Sequence, residues 1–293
     1  AGHMAAVTRA ASHYSQSSYF NEVTGGLEFL RFITELWEHF EERADEIRET
    51  LTQVSREVFT QNGLIMNVTC EEKAFPDIRK SLAELASSMP SDAEKRFAMT
   101  LSPPLKEAVA TTGAVGFLAH CGSFRKAGPY KGSLKVLQSI LAREYLWQQL
   151  RVLGGAYGAR CRFGILGPSY FVSYRDPQLS RTEEVYREIP AYVEQLDLPE
   201  EVLESFIIAT IGGMDIPGTP SVLGEIDFGY YLSGIDAAFL QEERDAVIHC
   251  TLKDLHDLAP YMRAILETET ICYVGSSIKA EEEKAFFDSI ENL

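Results

Sequence analysis

Residues 145–158 read Tyr-Leu-Trp-Gln-Gln-Leu-Arg-Val-Leu-Gly-Gly-Ala-Tyr-Gly, and they mark a change from helix to strand. The preceding residues repeat apolar side chains at helical spacing and predict a helix that ends near Arg151. Gly154 and Gly155 interrupt this helix, because glycine adopts backbone conformations that are closed to other residues. A strand is predicted to begin at or near Tyr157. From the residues alone, Arg151 is a cation favoured at a helix C-terminus and Tyr157 is an ordinary strand aromatic.

The segments on either side predict an α+β module. Strand-like sequence over 108–120 precedes the helix, and a second strand near 170–174 follows the first. The remaining predicted elements are helices near 181–196 and 199–211, a Gly/Pro-rich loop over 212–220, further helix to about Leu266, a strand over 270–274 and a helix over 280–291. This order predicts one mainly antiparallel sheet with helices packed on one face.

The first part of the chain resembles the end of this module. Helices are predicted before Asn62-Gly63, followed by a strand over 64–69 and a helix that ends near Pro90. The pentapeptide Glu-Glu-Lys-Ala-Phe occurs at 71–75 and again at 282–286, at or near the start of the closing helix in both predicted copies. The same order of elements at a similar offset indicates an internal repeat.

The repeat predicts a division of the chain into two modules. Residues 100–293 would form a complete module, and residues 12–92 the tail of a similar one, with a linker over 91–104. The tail lacks opening strands, so we expect the chain to begin inside a module and to leave a strand edge exposed. Residues 1–11 are predicted to be a tag and polar lead-in, because Ala1-Gly2-His3-Met4 has the form of a cloning remnant.

Composition excludes several classes of partner. The chain has 293 residues, of which 45% are hydrophobic, enough for substantial cores. Its net charge is −16 without a run of Lys or Arg, which argues against nucleic acid and hints at basic peptides. No stretch approaches the roughly 20 uncharged apolar residues that span a membrane, so no membrane partner is expected. Five dispersed cysteines without CxxC pairs predict reduced thiols in the cytoplasm, with an organellar matrix as the alternative.

The sequence contains no recognisable metal or nucleophile motif. None of the six histidines belongs to HEXXH or HXXEH. His249 and His256 lie seven residues apart and could share a helix face, but a third ligand is not evident. No GxSxG motif occurs, and Cys121-Gly122-Ser123 beside His120 is predicted to be strand packing, because adjacent strand residues point to opposite faces. We therefore predict no metal site in this chain.

The stretch at 145–158 closely resembles the last module of presequence proteases, which belong to the pitrilysin/insulinase family of zinc metallopeptidases. The resemblance is also carried by Ser173-Tyr174-Arg175-Asp176-Pro177 and by Asn21-Glu22 with Thr24-Gly25-Gly26. It covers most of residues 12–293. Leu153 stands where Lys is common in the family, which leaves the Arg and Tyr positions untouched.

The resemblance implies four similar modules in two halves that close around a peptide. The first half carries HXXEH and a distal Glu, which bind zinc and activate water, and it has no counterpart in this chain. The last half supplies an Arg and a Tyr that contact substrate near the scissile bond, at positions similar to Arg151 and Tyr157. Gly154 and Gly155, the turn between them, are expected to line the substrate site.

The implied function is that of a non-metal-binding, substrate-contacting C-terminal portion of a zinc-dependent metalloendopeptidase that degrades unstructured peptides. Its partners would be the peptide substrate and the N-terminal half of the same polypeptide. The alternative is a catalytically inactive scaffold or binding subunit of the same fold. A self-sufficient enzyme is disfavoured by the missing motifs. The truncated repeat favours the first interpretation, because a natural scaffold should contain whole modules.

Overall fold

The computed structural model describes residues 2–91, 99–215 and 217–293, and these residues contain a six-stranded sheet. The strand order is β3-β4-β2-β5-β1-β6. Three of the five strand pairings are antiparallel, and β1 pairs parallel with β5 and β6. The strands are β1 Lys106–Thr111, β2 Phe117–Ser123, β3 Gly158–Phe163, β4 Pro168–Tyr174, β5 Thr270–Ser276 and β6 Ser289–Asn292.

The described helices, together with this sheet, confirm the predicted α+β class. The helix predicted over 131–151 begins as α6 and continues as two π-helical segments, Leu141–Tyr145 and Trp147–Leu153. None of the described helices combines the length and hydropathy needed to cross a bilayer. The helices are α1 Gly2–Ser12, α2 Gln16–Gly25, α3 Leu27–Glu38, α4 Phe40–Val58, α5 Phe75–Ser88, α6 Ser133–Ile140, α7 Ser180–Glu194, α8 Glu200–Met214, α9 Pro220–Ser233, α10 Ala237–Ile248, α11 Leu252–His256, α12 Ala259–Leu266 and α13 Ser277–Glu282.

Contacts divide the chain into two compact units. The first contains Ala1–Leu30, Thr100–Asp215 and Ala238–Leu293, and the second contains Arg31–Met99 and Ile216–Ala237. These bounds differ from the predicted modules at 12–92 and 100–293, whose identity as family modules stays a prediction.

Two predicted connections lie partly outside the described residues. Residues 92–98 of the predicted linker fall there, and so does residue 216 of the loop predicted over 212–220. The first residues of that loop instead extend α8 to Met214.

The larger core lies between one face of the sheet and the helices that pack on it. Leu118, Phe171 and Tyr273 of the strands are buried there. They belong to one cluster with helical residues such as Leu137 and Tyr186. Burial of apolar side chains of this size stabilises the fold by about 1.5–3 kcal/mol for each residue.

Helix α1, which lies in the residues predicted to be a tag and polar lead-in, packs against the opposite face of the sheet. Ala6, Val7, Ala10 and Ala11 are buried against the strands. Their spacing forms a helical stripe, and alanine has the highest helix propensity of all residues. The small side chains also let the helix lie close to the sheet.

Buried ion pairs and hydrogen bonds link α1 and the turn after it to β1. Glu107 is only 1% exposed and accepts hydrogen bonds from Arg9 Nε and His13 Nε2, each at 3.0 Å. Arg9 Nη1 also contacts Glu22 at 3.4 Å and Glu28 at 2.5 Å. Burial raises the pKa of Glu107, but the hydrogen bonds from His13 and Arg9 and the charge of Arg9 outweigh it and hold that pKa below its ordinary value.

The second unit buries little of its apolar surface. Helices α4 and α5 contain no buried residue. The strand predicted over 64–69 is wrong, because these residues form no regular secondary structure. A strand requires a neighbour for its backbone hydrogen bonds, and the structure describes none here. Instead the Asn67 side chain donates to the Gly224 carbonyl at 3.1 Å.

The helix predicted over 280–291 is also corrected. Helix α13 ends at Glu282, a 3₁₀ turn follows at Lys284–Phe286, and the chain closes with β6. Pairing of β6 with β1 overrides the local helix preference. The second pentapeptide copy therefore begins on the last residue of α13, whereas the first leads into α5.

We expect backbone amides of α4 and α5 to exchange with solvent faster than those of β2 and β5. The helices have no buried side chains, whereas both strands lie inside the sheet. Local opening costs least where few buried contacts are lost. Hydrogen exchange followed by mass spectrometry measures this difference, and equal protection of the two regions would contradict it.

Candidate active site

Arg151 and Tyr157 come together where the long helix ends and β3 begins. Arg151 lies in the second π-helical segment, and Tyr157 immediately precedes β3. The Arg151 Nη1 atom donates to the backbone carbonyl of Tyr157 at 2.8 Å. Its guanidinium carbon lies 5.4 Å from the centroid of the Tyr157 ring. The two residues that the sequence singled out are therefore in direct contact.

The turn at Gly154 and Gly155 permits this contact. Gly155 has φ +81°, in the left-handed region that favours glycine. A Cβ atom on Gly154 would lie 2.7 Å from the Leu150 carbonyl oxygen. The same oxygen accepts a hydrogen bond from Ala156 N at 2.9 Å, which closes the helix end. Both glycines thus have a backbone role, and their contact with substrate stays a prediction.

Trp147 supports Arg151 from the preceding turn of the helix. The guanidinium carbon of Arg151 lies 4.2 Å from the centroid of the Trp147 ring, within the range of a cation–π interaction. Both residues belong to the same π-helical segment, a form of winding that occurs often at functional sites. Stacking on Trp147 and the bond to the Tyr157 carbonyl together restrict the Arg151 side chain.

The end of β4 completes the site. Tyr157 N donates to the carbonyls of Tyr174 at 3.0 Å and Arg175 at 3.3 Å. The Tyr157 and Tyr174 rings meet edge to face, with centroids 5.6 Å apart. The guanidinium carbon of Arg175 lies 5.9 Å from the Tyr157 ring centroid and 5.6 Å from that of Tyr174. We call Trp147, Arg151, Tyr157, Tyr174 and Arg175 the arginine–aromatic cluster.

The sequence assigned no role to three members of this cluster. Trp147, Tyr174 and Arg175 lie in the motifs that carry the family resemblance, and that position was the available signal. The proximity of Tyr174 and Arg175 to Tyr157 depends on the antiparallel pairing of β3 with β4, which pairs Gly158 with Tyr174. Residues 17 positions apart could not be brought together from helical or strand periodicity.

The cluster is open to solvent. The Tyr157 side chain is 61% exposed. Within residues 2–91, 99–215 and 217–293, its hydroxyl has no hydrogen-bond partner, and neither Arg151 nor Arg175 lies within 4.0 Å of a carboxylate. The hydroxyl and two guanidinium groups are thus available to a ligand that carries carbonyl or carboxylate oxygens.

Three of the histidines, His120, His249 and His256, make hydrogen bonds within the protein. His120 is fully buried, with Nδ1 at 3.0 Å from the Glu183 carboxylate and Nε2 at 3.1 Å from the Leu266 carbonyl. His249 Nδ1 bonds the carbonyl of Asp245, and His256 Nε2 donates to that of Leu196.

The predicted strand packing at His120 and Cys121 is confirmed. Cys121 is buried in the cluster beneath α1. Burial raises the pKa of its thiol well above the ordinary value, which disfavours a thiolate nucleophile. The Cys121 side chain is therefore part of the core.

The described part of the chain does not fit the zinc ion that the family implies. No group of three His, Cys, Asp or Glu side chains that could hold a metal occurs there. A zinc site needs at least three such ligands. Zinc chemistry is therefore not assigned to these residues.

The α+β fold is the one that the sequence motifs predicted for a peptidase-family module, and the arginine–aromatic cluster lies at the helix–strand junction that contains the first of those motifs. The chain belongs to the PreP C-terminal domain family, whose model matches residues 106–275. This range contains the whole arginine–aromatic cluster. The predicted resemblance to presequence proteases is confirmed.

Several known proteins are similar to the chain. Protein HypA of Clostridium perfringens is 29% identical over 294 residues, which are 100% of this chain and 30% of that protein. Presequence protease 1, chloroplastic/mitochondrial, of Arabidopsis thaliana is 28% identical over 94% of this chain and 26% of its own length. The crystal structure of pitrilysin matches 76% of this chain and 25% of that chain, with 14% identity and a TM-score of 0.48. The chain thus spans less than a third of the curated relatives named here.

Proposed function

We propose that this chain is the substrate-contacting, non-metal-binding C-terminal portion of a zinc-dependent metalloendopeptidase that degrades unstructured peptides. The observation that carries the proposal is the exposed arginine–aromatic cluster, which lies within the residues matched by the PreP C-terminal domain family. The similarity to presequence protease 1, a protein named as a protease, supports peptide as the ligand.

In this proposal Tyr157 acts on the scissile peptide bond. Its exposed hydroxyl donates a hydrogen bond to the carbonyl oxygen, which becomes negatively charged as the carbonyl is attacked. A donor that is already in position stabilises this charge without the cost of reorganisation. Arg151 holds the backbone of Tyr157 through the 2.8 Å bond to its carbonyl and so keeps the hydroxyl aimed.

The zinc-binding residues are assigned to the N-terminal half of the same polypeptide. The relatives extend well beyond the length of this chain, which supports a larger protein. We expect a reducing compartment, either cytoplasm or an organellar matrix, because all five cysteines are unpaired and relatives carry mitochondrial or chloroplastic names.

We expect the isolated chain to bind no stoichiometric zinc and to cleave no peptide, whereas the complete polypeptide does both. Metal analysis and a fluorogenic peptide assay measure these properties for the two proteins side by side. Tightly bound zinc or chelator-sensitive cleavage in the isolated chain would contradict the proposal. A complete polypeptide without chelator-sensitive cleavage would favour the scaffold alternative.

A further inference from the structure

We propose that Arg175 is a specificity-determining residue that binds a carboxylate group of the peptide beside Tyr157. This inference rests on the proposed function, because it assigns a second contact within the same site. It also reverses the hint from net charge that the ligand is basic. Three features of the cluster support it: the backbone of Arg175, the freedom of its guanidinium group and the local distribution of charge.

The backbone of Arg175 adopts an unfavourable conformation. Its φ is +49°, in the left-handed region that non-glycine residues adopt only rarely. The conformation directs the guanidinium group over the rings of Tyr157 and Tyr174. Strained residues of this kind cluster at ligand sites, where the fold maintains a geometry that the isolated backbone would avoid.

Arg151 and Arg175 differ in how far they are engaged within the protein. Arg151 is stacked on Trp147 and donates to the Tyr157 carbonyl. Arg175 is exposed, and within the described part of the chain its guanidinium group donates no hydrogen bond and pairs with no carboxylate. Arg151 is thus the more restrained of the two, and we assign the direct ionic contact to Arg175.

The local charge favours an acidic ligand. Between residues 151 and 175 the sequence contains Arg151, Arg160, Arg162 and Arg175 but no Asp or Glu, although the whole chain has 43 acidic and 27 basic residues. Arg160 and Arg162 are exposed on β3. The adjacent Asp176 does not offset this charge at the surface, because it is buried and accepts hydrogen bonds from Thr182 Oγ1 and Gln178 N.

A carboxylate suits this position better than a neutral carbonyl. The planar guanidinium group offers several donors in a fork that matches the two oxygens of a carboxylate. The flat rings of Tyr157 and Tyr174 occupy other directions around it and leave the donors at its edge free. The carboxylate can belong to an acidic side chain or to the C-terminus of the peptide.

Binding of three peptides to the chain separates these sources. One peptide has an internal Gln and an amidated C-terminus, the second replaces that Gln by Glu, and the third keeps Gln but has a free C-terminal carboxylate. The chain has two tryptophans, so in a Trp37→Phe background Trp147 reports on the cluster by its fluorescence. We expect at least one carboxylate peptide to bind about fivefold more tightly than the uncharged one, a typical effect for a single partly exposed ion pair.

Variants assign this preference to Arg175. Arg175→Gln and Arg175→Gly should both abolish the preference for the carboxylate peptide. Glycine favours the left-handed backbone, so Arg175→Gly should keep the melting temperature close to that of the parent. Arg79→Gln, on the exposed surface of α5, changes the net charge equally and should retain the preference. Equal affinity for all three peptides, absence of binding, or a preference that survives Arg175→Gln would overturn the inference.

Turnover by the complete polypeptide distinguishes failure of this inference from failure of the proposed function. Arg175→Gln should reduce kcat/KM about fivefold for the preferred carboxylate peptide and leave that for the uncharged peptide unchanged. If Tyr157→Phe loses turnover of all peptides but Arg175→Gln changes none, the proposed function stands and the role of Arg175 is wrong. If the chain selects carboxylate peptides but the complete polypeptide cleaves none, the contact stands and the peptidase assignment is wrong.

Discussion

Tyr157→Phe is expected to lower kcat of the complete enzyme by about 10²–10³, the usual effect of removing one donor to a developing oxyanion. The substitution removes a single hydroxyl group, which is exposed and has no partner in the described structure. Phenylalanine keeps the edge-to-face contact with Tyr174 and the ring that lies beside Arg151 and Arg175. Folding and zinc content should therefore be unchanged.

Kinetics and melting curves distinguish this role from a structural one. If Tyr157 only packs against the cluster, the variant should retain near-normal turnover. Tyr231→Phe is a matched control, because it removes an exposed hydroxyl from α9. Activity of Tyr157→Phe within about threefold of the parent, far below the effect of an oxyanion donor, would show that the catalytic assignment is wrong.

Arg9→Ala should lower the free energy of unfolding by about 3–5 kcal/mol, the usual cost of leaving a buried charge without its partner. Arg9 is 13% exposed, and the side chain of its partner Glu107 is 1% exposed. Without the guanidinium group, the Glu107 carboxylate keeps only the bond from His13. Chemical denaturation measures the loss. Arg48→Ala is the control, because its exposed pair with Asp45 contributes only about 0–1 kcal/mol.

The effect of Arg9→Ala should shrink on acidification. The pKa of Glu107 in the folded chain lies below its ordinary value of 4.5, so its ionised form contributes stability that is present above pH 4.5. That contribution disappears as the pH falls through the folded pKa. The difference in unfolding free energy between the variant and the parent should therefore narrow below pH 4.5. A constant difference across that range would show that the charge of Glu107 is not involved.

Patterns of apolar residues and glycines in the sequence were enough to predict several elements of the fold. Helical periodicity predicted α7, α8 and the long helix before the turn at Gly154 and Gly155, because these helices bury apolar residues at helical spacing. The pair Gly154-Gly155 predicted the end of the helix after Arg151. In the structure Gly155 has a left-handed backbone, which ends a helix. Helical spacing also placed Arg151 near the end of the helix, where the structure has it. It did not reveal that Arg151 contacts Tyr157.

Pairings between distant segments were decided only by the tertiary structure. Residues 280–291 have local helix preference, but part of them forms β6 because β1 supplies hydrogen bonds. Residues 64–69 have the composition of a strand, but no described strand lies beside them. The composition of α1 suggested a polar lead-in, whereas its alanine stripe fits the second face of the sheet.

The candidate site also combines residues that the sequence predicted with a residue that only the tertiary structure placed there. The family resemblance singled out Arg151 and Tyr157, because a short motif contains both residues and the turn between them, and their role stays a prediction. Only the tertiary structure placed Arg175 beside Tyr157, because their proximity arises from the pairing of β3 with β4. Local sequence specifies backbone conformation over a few residues, whereas contact between strands depends on the free energy of the whole sheet.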